Sequence, residues 1–141
     1  MIRYRASKKE LSVCISGIEC SNDIRKVFGG PDDIRTITFP EMVRTVRQGS
    51  FRGVKSLKSV VLNEGLEVLG TEEHSLEQFT FCGVFQESGV KRVKLSSTLK
   101  VIKNDAFMGC TNLRSVRLPD GLTEIGLRAF RESGLENITT P

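Results

Sequence analysis

The sequence predicts a repeat solenoid of α/β type, in which short parallel strands alternate with return segments, and three observations predict it. One apolar pattern recurs four times, at Ile34-Arg-Thr-Ile-Thr-Phe-Pro, Leu57-Lys-Ser-Val-Val-Leu-Asn, Val90-Lys-Arg-Val-Lys-Leu-Ser and Leu113-Arg-Ser-Val-Arg-Leu-Pro, and Leu135-Glu-Asn-Ile-Thr-Thr-Pro begins a fifth copy. The period is 22 or 23 residues where it is clearest, with one unit running Val90 to Asn112 and the next Leu113 to Gly134. Phenylalanine also stands at the same place in every full copy. A unit this short buries its apolar face only against its neighbours, so copies must stack.

Counted from the first apolar residue, each copy places apolar side chains at positions 1, 4 and 6, the alternation of a short strand with one buried face. Filling that face are Ile37 and Phe39, Val60 and Leu62, Val93 and Leu95, and Val116 and Leu118. Position 7 is proline at Pro40, Pro119 and Pro141. Without an N–H it ends the ladder and turns the chain. Positions 10 and 13 are apolar throughout, at Val43 and Val46, Leu66 and Leu69, Leu99 and Ile102, and Leu122 and Ile125. This spacing predicts an irregular or 3₁₀ return segment that faces the strand across the core. Glycine follows at position 14 in Gly70 and Gly126 and suggests a turn with positive φ, although Arg47 and Lys103 replace it elsewhere. Phe51, Phe85, Phe107 and Phe130 occupy position 18, a column read as core.

The segments Ile102-Lys-Asn-Asp-Ala-Phe-Met-Gly-Cys-Thr-Asn-Leu and Leu118-Pro-Asp-Gly-Leu-Thr-Glu-Ile-Gly-Leu-Arg-Ala-Phe resemble the BspA-type, or Treponema pallidum-type, leucine-rich repeats. The resemblance covers residues 34–141 and is most specific in the last two full copies. It implies a leucine-rich-repeat solenoid with parallel strands on the concave face and irregular or 3₁₀ segments on the convex side. It also implies binding or adhesion at a cell surface or outside the cell, and it places Cys110 at a buried position where the thiol acts as a small apolar group. The right hand of the coil is expected from the general crossover rule.

Residues 1–33 read as an amino-terminal cap or degenerate first repeat, with an alternating stretch at Leu11-Ser-Val-Cys-Ile and Phe28 in the place of a column phenylalanine. At the other end, Pro141 falls just after a strand. The strand there presents an edge that either continues in a longer protein or associates with another copy through Leu135–Thr139. The second copy holds an insertion at 71–83 that contains His74, Leu76, Phe79 and Phe81. Such a loop either folds back over a local edge or serves recognition.

Composition narrows the function classes. The chain has 141 residues, 27% charged and 38% apolar, as expected of a folded protein of one domain. No apolar run has the length of a secretory signal or a membrane span. Cys14, Cys20, Cys82 and Cys110 form no CxxC pair and His74 is the single histidine, so no zinc-ligand pattern emerges and no cofactor is expected. Cys14 and Cys20 could bridge or stay reduced, according to compartment. Asn137-Ile-Thr matches a glycosylation sequon, a pattern that also arises by chance. His74 lies beside Glu72 and Glu73 with no nucleophile assigned to it, so catalysis is not expected.

The strand residues that alternate with the core positions line the concave face. Together with position 2 they place Arg35, Lys58, Lys91, Arg92, Lys94, Arg114 and Arg117 there, against the single acid Glu136. With a net charge of +4 for the whole chain, this is a local concentration of positive charge. It predicts a protein or glycan ligand of acidic character, bound in a salt-dependent way. The same pattern also arises where strand edges carry Lys and Arg for solubility. Nucleic acid fits poorly, because no aromatic side chain interleaves the bases for stacking.

Overall fold

The structure, a computed structural model, describes residues 34–39, 41, 43–46, 48–70 and 83–141, together with the backbone of two earlier strands, Tyr4–Ser7 and Glu10–Val13. From residue 34 onward each full unit contributes a strand of three residues and then one of two. In chain order the strands are β1 (Tyr4–Ser7), β2 (Glu10–Val13), β3 (Thr36–Thr38), β4 (Thr45–Val46), β5 (Ser59–Val61) and β6 (Val68–Leu69). They continue with β7 (Arg92–Lys94), β8 (Val101–Ile102), β9 (Ser115–Arg117), β10 (Glu124–Ile125) and β11 (Asn137–Thr139).

The strands form two parallel ladders. In the longer one, β2, β3, β5 and β7 pair in unit register, with Leu11 beside Ile37, Ile37 beside Val60 and Val60 beside Val93. β1 joins its outer side as the antiparallel partner of β2. β9 and β11 pair with each other in the same sense, Val116 beside Ile138. The shorter ladder runs unbroken through β4, β6, β8 and β10.

Of the expected irregular or 3₁₀ returns the irregular form holds outside the two-residue strands, whereas the α/β class and the 3₁₀ form need correction. Among the described residues there is no helix and no 3₁₀ segment, and the return carries the second strand ladder. The reason is where the backbone bonds go. Lys100 and Val101 donate N–H to the Glu67 carbonyl at 2.8 and 3.1 Å, and Lys103 donates to Leu69 at 2.9 Å. Bonds to the neighbouring unit satisfy groups that a helix would have bonded within its own turn.

The two ladders enclose the core. Ile37, Val60, Leu57, Leu66, Leu69, Leu99, Ile102 and Leu113 are buried there. Beside them runs the phenylalanine column, Phe51 to Phe85 to Phe107 to Phe130, with centroids 5.3, 5.4 and 5.3 Å apart and ring planes within 12°. Phe39 meets Phe51 edge-on at 5.7 Å. Burial of each ring contributes roughly 1.5–3 kcal/mol, and stacking adds about 0.5–1.5 kcal/mol per pair. Cys110 is buried in this layer and its Sγ donates to the Phe85 carbonyl at 3.0 Å. Desolvation pushes its thiol pKa up, against the opposing hydrogen bonds of Ser88.

The positive φ expected at position 14 is found at Gly70, at 100°, and not at Gly126, and Gly65 is left-handed too, at 92°, but the recurrent left-handed positions fall elsewhere. They are position 16 (Gly49, Asp105, Arg128) and position 20 (Gly53, Glu87, Gly109, Glu132), with φ between 55° and 73°. A side chain in this region costs roughly 1–2 kcal/mol. At position 16 the cost is offset by an ion pair, since Asp105, only 1% exposed, lies 2.9 Å from Arg128 Nε and accepts from Arg128 Nη2 at 3.1 Å.

Burial declines toward β11. Leu118, Leu122, Phe130 and Leu135 are half-buried, while Ile125 and Ile138 are 46% and 54% exposed.

Candidate functional site

The outer face of the longer ladder holds the basic residues singled out from the sequence. Arg35, Lys91, Arg92, Lys94, Arg114 and Arg117 are exposed, and Lys58 is half-buried with its Nζ 3.4 Å from the Lys55 carbonyl. Pairing sets Arg92 beside Ser59 and Lys94 beside Val61, and Arg117 beside Thr139. Arg114 is engaged, with Nη1 at 3.1 Å from Glu136 and 3.4 Å from the Gly134 carbonyl. Lys91, Arg92 and Arg117 enter no ion pair with the described residues. Five of the seven basic residues therefore gather on β7, on β9 and at the entries to both, while Arg35 and Lys58 precede β3 and β5. The expected recognition loop, His74, Leu76, Phe79 and Phe81, lies outside the described residues, as do Cys14 and Cys20. The segment Leu135–Thr139 contains β11, where Ile138 is exposed.

Between β7 and β9 the longer ladder is interrupted. At every other described junction of the parallel three-residue strands from β3 onward, the same bonds recur. Lys58 and Ser59 donate to Arg35 at 2.7 and 3.1 Å, Lys91 and Arg92 to Lys58 at 2.9 and 3.1 Å, and Glu136 and Asn137 to Arg114 at 2.9 and 3.2 Å. Beyond the strands, Phe39 donates to Val61 at 3.0 Å, Leu62 to Lys94 at 2.9 Å and Leu118 to Thr139 at 2.9 Å. The matching bonds from Arg114 and Ser115 to Lys91, and from Leu95 to Arg117, are absent. β7 and β9 are neighbours without being paired.

Two local features of the sequence distinguish this junction from the closed β3–β5 and β5–β7 junctions. Like charges meet at position 5, where Lys94 and Arg117 occupy equivalent places on adjacent strands, and such neighbours destabilise pairing. Charge at the strand entry is not decisive, because Lys58 and Lys91 are neighbours at a closed junction. The second feature is the residue run after each strand. Asn63 Nδ2 reaches back to the Val43 carbonyl at 2.9 Å. Ser96 Oγ and Thr98 Oγ1 both donate to the Leu66 carbonyl, at 3.0 and 3.1 Å. Ser97 gives Glu64 two more bonds, from its N–H at 3.1 Å and its Oγ at 2.6 Å. The following unit has Pro119-Asp120-Gly121 here, and no side-chain bond ties these residues back.

The interruption widens into a cleft of about 440 Å³ near the ends of the two strands. Val93, Leu95, Leu118 and Pro119 supply an apolar lining, Lys94 and Arg117 bring positive charge, and Glu64 and Asp120 bring negative charge. Glu64 is held below its usual carboxylate pKa chiefly by the Ser97 hydroxyl and then by the Ser97 amide, with a smaller contribution from the Lys94 charge. Among the described residues no group of His, Cys, Asp and Glu is arranged to hold a metal ion, and no helix is long and apolar enough to cross a membrane.

Residues 81–141 match a family described as BspA type leucine rich repeat region (6 copies). In structure the chain is similar to a leucine rich cell surface protein from Faecalibacterium prausnitzii A2-165, with a TM-score of 0.43 and 15% identity over 95% of this chain and 48% of that one. It is also similar to the leucine rich repeat protein of T. pallidum, with a TM-score of 0.44 and 20% identity over 92% of this chain and 64% of that one. This chain therefore spans about half the length of the first and less than two thirds of the second. No curated protein matches its sequence.

Proposed function

We propose that this chain, whose residues 81–141 are BspA-type leucine-rich repeats, is a non-catalytic binding module that engages an acidic partner protein on the basic concave face of a solenoid. The family's repeats generally serve protein interaction, often on surface proteins, which extends the reading to adhesion outside the cell. One observation carries the reading beyond the family. Arg92 and Lys94 on β7, Lys91 at its entry and Arg117 on the adjacent β9 are all exposed. Interspersed acids would have served solubility equally well, whereas charge of one sign steers an acidic partner toward that face.

The test is to replace Lys91, Arg92, Lys94 and Arg117 together with glutamate and to titrate a glutamate-rich peptide at low and at high salt. Wild type is expected to bind with a steep salt dependence, and the variant to lose about tenfold or more in affinity. Unchanged affinity and salt slope would overturn the proposal.

A further inference from the structure

We propose that the cleft between β7 and β9 is a seat for a carboxylate carried on an extended peptide segment of the partner, held by the Leu95 N–H together with Lys94 and Arg117. This rests on the basic-face reading and narrows it to one place.

At the other junctions the residue just after the longer strand donates its N–H across to the next unit, as Leu62 does to Lys94 and Leu118 to Thr139. Leu95 is the exception, and neither its N–H nor the Arg117 carbonyl takes part in that bond. Leu95 is 9% exposed and lines the cleft together with Lys94 and Arg117, so an N–H left out of the ladder belongs to an opening that two cationic residues also line. A ligand carboxylate accepting there would gain a charge-assisted hydrogen bond and two neighbouring positive charges. Glu64 keeps its negative charge, but both its oxygens accept hydrogen bonds from Ser97 and it forms no ion pair with Lys94 or Arg117.

The remaining features select a peptide. The open junction offers a carbonyl acceptor at Arg117 beside the donor at Leu95, and a peptide carries both an N–H and a carboxylate side chain to meet them. Polyphosphate offers acceptors alone. Its charge density would also be opposed by Glu64 and Asp120, and no aromatic ring lines the cleft for a base to stack on. An extended segment with spaced acids suits a site that has two bases, two acids and an apolar lining.

The test uses the full chain, a peptide of alternating glutamate and serine, and its glutamine counterpart. Arg117→Thr and Arg92→Ser each remove one charge from the same face, but only Arg117 lines the cleft. Arg117→Thr is expected to weaken binding by about tenfold or more and Arg92→Ser by about threefold or less, the difference reflecting a direct charged hydrogen bond against steering alone. Amide exchange measured by NMR should slow at Leu95 when the glutamate peptide binds. Equal losses in the two variants, or a Leu95 amide that stays unprotected, would overturn the cleft while leaving the basic face intact. Equal binding of the glutamine peptide, or no binding by wild type, would overturn both.

Discussion

The contact between the third and fourth units has two sides that behave differently. On the phenylalanine side, Phe107 stacks on Phe130 at 5.3 Å, Phe107 N–H donates to the Ala129 carbonyl at 2.7 Å, and Gly109 donates to Arg131 at 2.8 Å. On the long-ladder side, the same two units share no strand bond. Repeats of one pattern thus differ in cohesion within a single interface. Apolar columns and turn bonds hold the units in register, which lets the ladder tolerate like charge and lose local pairing without separating the stack.

The largest test of this contrast is Phe107→Ala. A fully buried ring stacked on both faces should cost about 3–5 kcal/mol when removed, and the half-buried Phe130 should cost clearly less, both read from urea unfolding. Equal losses would mean that the column does not hold the junction. A smaller effect is expected from Arg117→Glu, which replaces the Lys94–Arg117 repulsion with attraction. It should stabilise by roughly 0.2–1 kcal/mol and slow exchange of the Leu95 amide without ligand. If that amide still exchanges fast, the missing side-chain ties, and not charge, keep the strands apart.

The smallest effect concerns the closed junction, where Ser97 binds Glu64. Because Ser97 lowers the folded pKa of Glu64, its contribution is present above the ordinary value of 4.5 and is lost as pH falls through the lowered folded value. Ser97→Ala should therefore unfold more easily than wild type at neutral pH, with the two converging in acid. A stability difference that does not shrink in acid would assign the role of Ser97 to something other than Glu64.

The recurring columns were legible in the sequence because burial leaves a periodic trace. Ile37, Val60 and Val116 are buried at position 4, and Phe51, Phe85 and Phe107 at position 18. The left-handed columns were harder to read, since glycine holds only part of them and Glu87, Asp105, Arg128 and Glu132 fill the rest. A signal for the cleft was present in the change from Ser96-Ser97-Thr98 to Pro119-Asp120-Gly121. It acquires meaning only once those hydroxyls are seen to reach the preceding unit.

By itself the sequence determined the repeat, its apolar columns and the gathering of basic residues on one strand face, because these follow from period and side-chain alternation within a unit. Tertiary structure decided that the return segment is a second ladder, and that the longer ladder opens between β7 and β9. Those outcomes depend on bonds between residues about one unit apart in the chain, where charge, hydroxyl ties and ring stacking compete across one interface. No single unit contains that competition.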